Sequence, residues 1–149
     1  MLLAVGTACR SGPDLEAERT QLLRLHEVQR TAHLEKRAAL LTATLADSFL
    51  DVSHGAVERS TPEQVRERMQ AYLERSTFQE WDDIAAPIVR VAPDGRMAYV
   101  VVQKRVRRTE ADSAGTPRAD HTVFAWVEIY QKLAGRWTLM LVASTDRPG

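Results

Sequence analysis

The 149-residue sequence is short of several things, and each shortage excludes something. It has one cysteine, Cys9, so no disulfide can form within the chain and the fold must hold by packing. It has no excess of charge: 20 Lys and Arg face 20 Asp and Glu. Without a basic excess, a nucleic-acid partner is not expected. No apolar run reaches the roughly 20 residues of a spanning helix. The four histidines form no metal pattern: His26 and His33 stand seven apart, where a helical metal pair wants a spacing of four. There is no phosphate-cradling Gly loop, no nucleophile elbow, no paired-Cys motif and no internal repeat. No metal and no cofactor are therefore expected.

What is present is ordinary for one soluble domain: 44% hydrophobic and 27% charged residues. The segment Met1-Leu-Leu-Ala-Val-Gly-Thr-Ala-Cys9 is apolar, with small residues before the cysteine. It resembles the end of a bacterial lipoprotein signal, which implies lipidation at Cys9 and contact with a membrane through that anchor only. The division expected is 1–13 as signal remnant and linker, and 14–146 as one domain at the cell envelope. The other reading is an apolar N-terminus with a stray thiol on a cytoplasmic protein.

Asp14 is a good N-cap, with Glu16 and Glu18 in the first turn, and Leu15, Leu22, Leu25, Gln29 and Ala32 recur at helical spacing. A first helix is expected to about Glu35, and a second over Arg37 to Leu45. Phe49 to His54 reads as a strand, closed by Gly55 before a short return at Val57. Thr61-Pro-Glu-Gln64 is a capping box with Pro at the first helical position. That helix should end near Ser76. Period two then takes over: strands at 77–84, with 88–91 continuing it, 97–107, 122–132 and 137–145, and a mobile tip over 110–120. Helices precede the sheet instead of alternating with it, so the class is α+β with an antiparallel sheet.

This order resembles the nuclear transport factor 2-like superfamily, which includes ketosteroid isomerases, scytalone dehydratases and SnoaL-like cyclases. Three stretches carry the resemblance. Leu45-Ala-Asp-Ser-Phe49 follows the opening helix, Thr61-Pro-Glu63 starts a helix, and Val127 to Leu141 matches a final hairpin with Gly135 in the turn and Trp137 opening the last strand. The resemblance implies a curved sheet wrapped around helices, a cone-shaped, cystatin-like α+β roll with a conical pocket, and frequent dimers through sheets. Both faces of the long strands are fairly apolar, which also points to a homodimer through the open sheet face.

The isomerases' proton-transfer base would fall at Ser53, beside His54, and a turn His is expected to be exposed. The better candidates for acid–base work are Glu128, Asp82 and His33. Glu128 lies between Trp126 and Tyr130 and needs a partner, expected to be Gln103 or Arg105. Asp82 and Asp83 must point to opposite faces, and Asp82 beside Trp81 is one carboxylate that burial would tune. His33 could stand at a pocket mouth, whereas His26 and His121 read as surface or boundary residues. Tyr72, Trp81, Tyr99, Trp126 and Trp137 are the aromatics expected to line a pocket. The run Lys104-Arg105-Val106-Arg107-Arg108 reads as a solvated strand end. The expected function is binding of a small apolar ligand or of a partner. The alternatives are an acid–base enzyme of isomerase, cyclase or dehydratase type, and a structural dimerisation module.

Overall fold

The computed structural model describes residues 12–149. Cys9 and the lipid-anchor reading therefore lie outside the described residues. Helix α1 runs Leu15–Leu34, opened by Asp14, whose Oδ1 accepts from Ala17 N at 3.0 Å. A short α2, Ala38–Thr42, follows. Strands β1, Leu45–Ser53, and β2, Ala56–Ser60, form a hairpin whose turn has positive φ at His54 and Gly55. Helix α3, Pro62–Arg75, starts on the expected capping box: Thr61 Oγ1 accepts from Gln64 N while Gln64 Oε1 accepts from Thr61 N.

Strands β3, Ser76–Asp83, and β4, Ile88–Val91, lie end to end along one edge of β5, Met97–Ala111. Strands β6, Pro117–Leu133, and β7, Arg136–Pro148, complete the sheet, in the order β2-β1-β7-β6-β5-β3. Bulges interrupt the β1–β7, β3–β5 and β6–β7 pairings, and bulges bend and twist a sheet. The helices fill its concave side around Leu22, Phe49, Val65, Val100, Val102, Tyr130 and Trp137.

Several expectations need correction. The sheet is mixed, because β1 and β7 pair in parallel. Hairpins force antiparallel pairing only on consecutive strands, and these two are far apart in sequence. The second helix is shorter than expected and β1 begins at Leu45. Leu139 N donates to Thr44 O at 2.7 Å, so sheet pairing claims a segment whose local pattern is helical. The tip between β5 and β6 is tighter than 110–120: pairing reaches Ala111 and Pro117, and Asp112 Oδ1 accepts from Ala114 N and Thr116 N.

The β6–β7 bulge matters most for the interior. Tyr130 pairs with Leu139 but Ile129 with Leu141, so Met140 is the extra residue. Trp137 and Leu139 face inward as alternation predicts; beyond the bulge, Leu141 and Ala143 turn out while Val142 and Ser144 turn in. On the convex face, cross-strand partners then align into apolar rows. One runs Ile88–Val101–Val127–Ala143–Val52 across five strands, and the next runs Tyr99–Ile129–Leu141–Leu50.

Candidate functional site

Between the helices and the concave face lies a cavity of about 350 Å³. That is within the usual range for small-molecule sites. Leu41, Val65 and Met69 wall it from the helices, and Phe49, Phe124 and Trp126 from the sheet.

Glu128 forms its polar floor. Alternation along β6 puts Phe124, Trp126, Glu128 and Tyr130 on one face, and that face is concave. Glu128 is 1% exposed. Its Oε1 accepts from Gln29 Nε2 at 2.6 Å and Trp126 Nε1 at 2.8 Å, and its Oε2 accepts from Tyr130 Oη at 3.0 Å. A buried carboxylate is tolerable when its lone pairs are met this way. Burial pushes the Tyr130 phenol well up, and Glu128 adds to the shift, so Tyr130 is a fixed donor. The partner is thus Gln29 on α1 in place of Gln103 or Arg105, whose positions have opposite parity to Glu128's partner Val100 on β5.

His33 lines the same cavity, one helical turn after Gln29. Its Nδ1 donates to Gln29 O at 2.7 Å, and its ring stacks on Trp81 at 4.1 Å and meets Phe78 edge-on. Burial lowers its pKa from 6.5 to about 4, with Lys104 adding to the effect, so the ring is neutral near pH 7. With the proton on Nδ1, Nε2 is an acceptor. Tyr72, Arg68 and Asp51 stand among the polar lining, and Tyr72 Oη accepts from Arg108 Nη1. Burial pushes the Tyr72 phenol up, opposed by the Arg108 charge.

The other expected site residues divide cleanly. Tyr72, Trp81 and Trp126 line the cavity. Tyr99 does not: it is 42% exposed on the convex face, one residue out of phase with the buried Ala98 and Val100. Trp137 is buried in the core, where its Nε1 donates to Glu18 Oε2 at 2.8 Å, away from the cavity lining. Asp82 also lies outside. Trp81 points in, so Asp82 points out, where Arg30 Nη2 reaches its Oδ1 at 2.9 Å.

Asp83 is the inward one of that pair, and it organises a second polar cluster. His26 Nε2 lies 2.9 Å from Asp83 Oδ2, and Lys104 Nζ lies 2.7 Å from Oδ1. The latter is an ion pair whose angle falls outside hydrogen-bond geometry. Lys104 also sits 4.2 Å from the centre of the Trp81 ring. Burial pushes the Asp83 carboxyl up, but Lys104 and His26 outweigh it and hold it below its ordinary value. Two expectations fall here. His26 is buried, not a surface residue, and Lys104 is fully buried while its neighbours Arg105 and Arg107 are exposed. Among the described residues no cluster of His, Cys, Asp or Glu is arranged to hold a metal ion. His54 is exposed and pairs with Asp146 at 3.1 Å.

Gln29 is the site residue that sequence reasoning did not single out. Its signal was visible: a polar residue in the apolar stripe of an amphipathic helix.

No protein-family model matches the chain, and no curated protein matches it. Solved structures do. An NTF2-like protein of unknown function in nutrient uptake from Rhodospirillum rubrum is 21% identical, with a TM-score of 0.63 over 83% of this chain and 96% of that one. A nuclear transport factor 2-like superfamily protein from Salmonella enterica is 14% identical, with a TM-score of 0.72 over 91% of this chain and 94% of that one. A ketosteroid isomerase-like protein from Erwinia carotovora is 15% identical, with a TM-score of 0.65 over 85% of this chain and 93% of that one. Kinase association domains are also among the similar structures. At these identities the likeness speaks for architecture and not for activity. The chain has the nuclear transport factor 2-like fold.

Proposed function

We propose that this domain binds a small, mostly apolar molecule in its cone and does not transform it. One observation carries the reading: a cavity of about 350 Å³ with aromatic and aliphatic walls and one buried polar floor. Apolar volume with a few fixed polar groups is what a binding site needs. The floor is also well restrained, since Glu128 accepts hydrogen bonds from Gln29, Trp126 and Tyr130. We extend the reading to an envelope location through a lipid on Cys9, and to pairing of two copies through the convex face.

Trp81 and Trp126 line the cavity, so occupancy should change tryptophan emission. Titration with 1-naphthylamine, an apolar bicyclic probe, should give saturable quenching. Val142→Phe, which fills the cavity from β7, should abolish it while the thermal transition is kept. Equal saturable quenching in that variant would place the probe elsewhere and sink the reading.

An acid–base enzyme is the second reading, favoured by the presence of both His33 and Glu128 in the lining. Its mark would be a turnover that His33→Phe removes without loss of binding.

A further inference from the structure

The inner end of the cavity is rich in open acceptors, and the donors packed around Glu128 are already engaged. Gln29 Nε2, Trp126 Nε1 and Tyr130 Oη all donate to Glu128. His33 Nδ1 donates to the Gln29 carbonyl. What remains is the reverse of a donor. An ionised carboxylate offers about four acceptor positions. Two on Oε1 and one on Oε2 are filled, so one lone pair of Oε2 stays open. His33 Nε2 carries a lone pair with no partner among the described residues, and it is not sealed in the core.

The mouth has the opposite character. Arg68 and Tyr72 belong both to the cavity lining and to the open depression outside it, which marks them as the rim. The other basic side chains around that depression each have a carboxylate partner: Arg75 and Arg108 with Glu110, Arg118 with Asp112, and His54 with Asp146. Arg68 has no carboxylate within 4.0 Å among the described residues, although Asp51 shares the lining. A guest therefore meets donors outside and acceptors inside.

We propose that the molecule held in the cone is an apolar body whose inner tip is a hydrogen-bond donor, a hydroxyl or an N–H, accepted by Glu128 Oε2, with His33 Nε2 as the alternative acceptor in the same lining. This deepens the binding reading and rests on it. An inner tip that only accepts, such as an ether or a ketone, would confront two lone pairs and leave them without a partner. Burying an acceptor against an acceptor is costly, whereas a donor to a charged group is among the stronger hydrogen bonds. At the ~30 Å³ that one water occupies in the liquid, the cavity takes on the order of a dozen heavy atoms. A bicyclic aromatic fits that scale.

The test is calorimetric, with two matched pairs of probes: 2-naphthol against 2-methoxynaphthalene, and indole against 1-methylindole. Each pair differs by capping the donor. The donor member should bind about tenfold tighter or more, the expectation for one hydrogen bond to a charged group. Glu128→Gln keeps the shape and removes the charge, so the preference should shrink. His33→Phe, which leaves Glu128 untouched, should shrink it independently and guards against a Glu128 variant that does not fold. If both members of each pair bind equally, or the capped ones bind tighter, the donor assignment is overturned while the cavity reading stands. If no probe binds to the intact chain, both fall together.

Discussion

Gln29 Nε2 on helix α1 donates to Glu128 Oε1 on strand β6 at 2.6 Å, a bond between residues 99 apart in sequence. The same residue's carbonyl holds His33 Nδ1 at 2.7 Å. One glutamine thus aims the carboxylate of the floor and sets the tautomer of the wall. Replacing it by Leu leaves Glu128 buried with Trp126 and Tyr130 alone. The expected loss is about 1.5–3 kcal/mol in urea unfolding, the range for a hydrogen bond to a charged group. Gln29→Glu should cost more, since it sets like charges together. An unchanged midpoint in Gln29→Leu would mean that the sheet alone positions Glu128.

His33 makes stability depend on pH in a window that can be worked out. Its folded pKa is about 4 against 6.5 in the unfolded chain. Between those values the unfolded state binds the proton and the folded state does not, so stability falls as pH drops from 6.5 to about 4 and levels off below. The largest loss this allows is on the order of 3 kcal/mol. Asp83 is held below its ordinary 3.8, so its contribution is lost at lower pH and lies outside this window. Urea unfolding at successive pH values should show the slope in the natural chain and lose it in His33→Phe. A slope that survives in the variant would assign the effect to another group.

The floor of the site was legible in the sequence and its restraints were not. Period two in β6 puts Glu128 with Trp126 on one face, and the pairing of strands then buries it. Nothing in that period names Gln29 as the partner, because helix-to-sheet docking is a tertiary choice. Residue type alone groups Tyr99 and Trp137 with the lining, whereas face and depth decide. Met140 explains the rest: a bulge carries no signal in a strand that is apolar on both faces, yet it alone turns Val142 and Ser144 inward. Lys104 is the sharpest case. In a basic run it resembles its solvated neighbours Arg105 and Arg107, but an even position on β5 takes it into the core.

The Lys104–Asp83 pair gives a test of that burial. Asp83→Leu leaves a fully buried ammonium without its counter-charge. Removing one partner of a buried pair costs about 3–5 kcal/mol. Replacing both, by Lys104→Met with Asp83→Leu, removes both charges and should recover most of that loss. A double-mutant cycle in guanidinium measures the difference. Additive single effects would show that the two charges do not feel each other.

The proposed envelope location depends on Cys9. Expressed with its full N-terminal segment in a bacterial host and fed labelled palmitate, the chain should incorporate label and fractionate with membranes. Cys9→Ser should be unlabelled and soluble. Label retained in that variant would move the attachment elsewhere, and absence of label in both would remove the anchor.

The convex face supplies the last prediction. Val101 pairs with Ile88 on one side and Val127 on the other, and the row continues through Ala143 to Val52. Ile88, Met97, Tyr99 and Val101 are each exposed, at 52%, 50%, 42% and 37%. These are large apolar groups standing on the sheet itself, not long basic side chains whose stems lie along a surface. A contiguous apolar face of this kind usually marks an interaction surface, and two copies meeting face to face cover identical rows by symmetry. A stable pair needs about 800 Å² from each partner. Sedimentation at micromolar concentration should therefore give a dimer. Val101→Arg puts a charge at the centre of the row, where it cannot be covered without desolvation, and should give a folded monomer. Its unfolding midpoint at low concentration should match that of the natural chain, because Val101 stands 37% exposed on the convex side, outside the buried core. A natural chain that sediments as a monomer, or a variant that still sediments as a dimer, would show that this face is not where two copies meet.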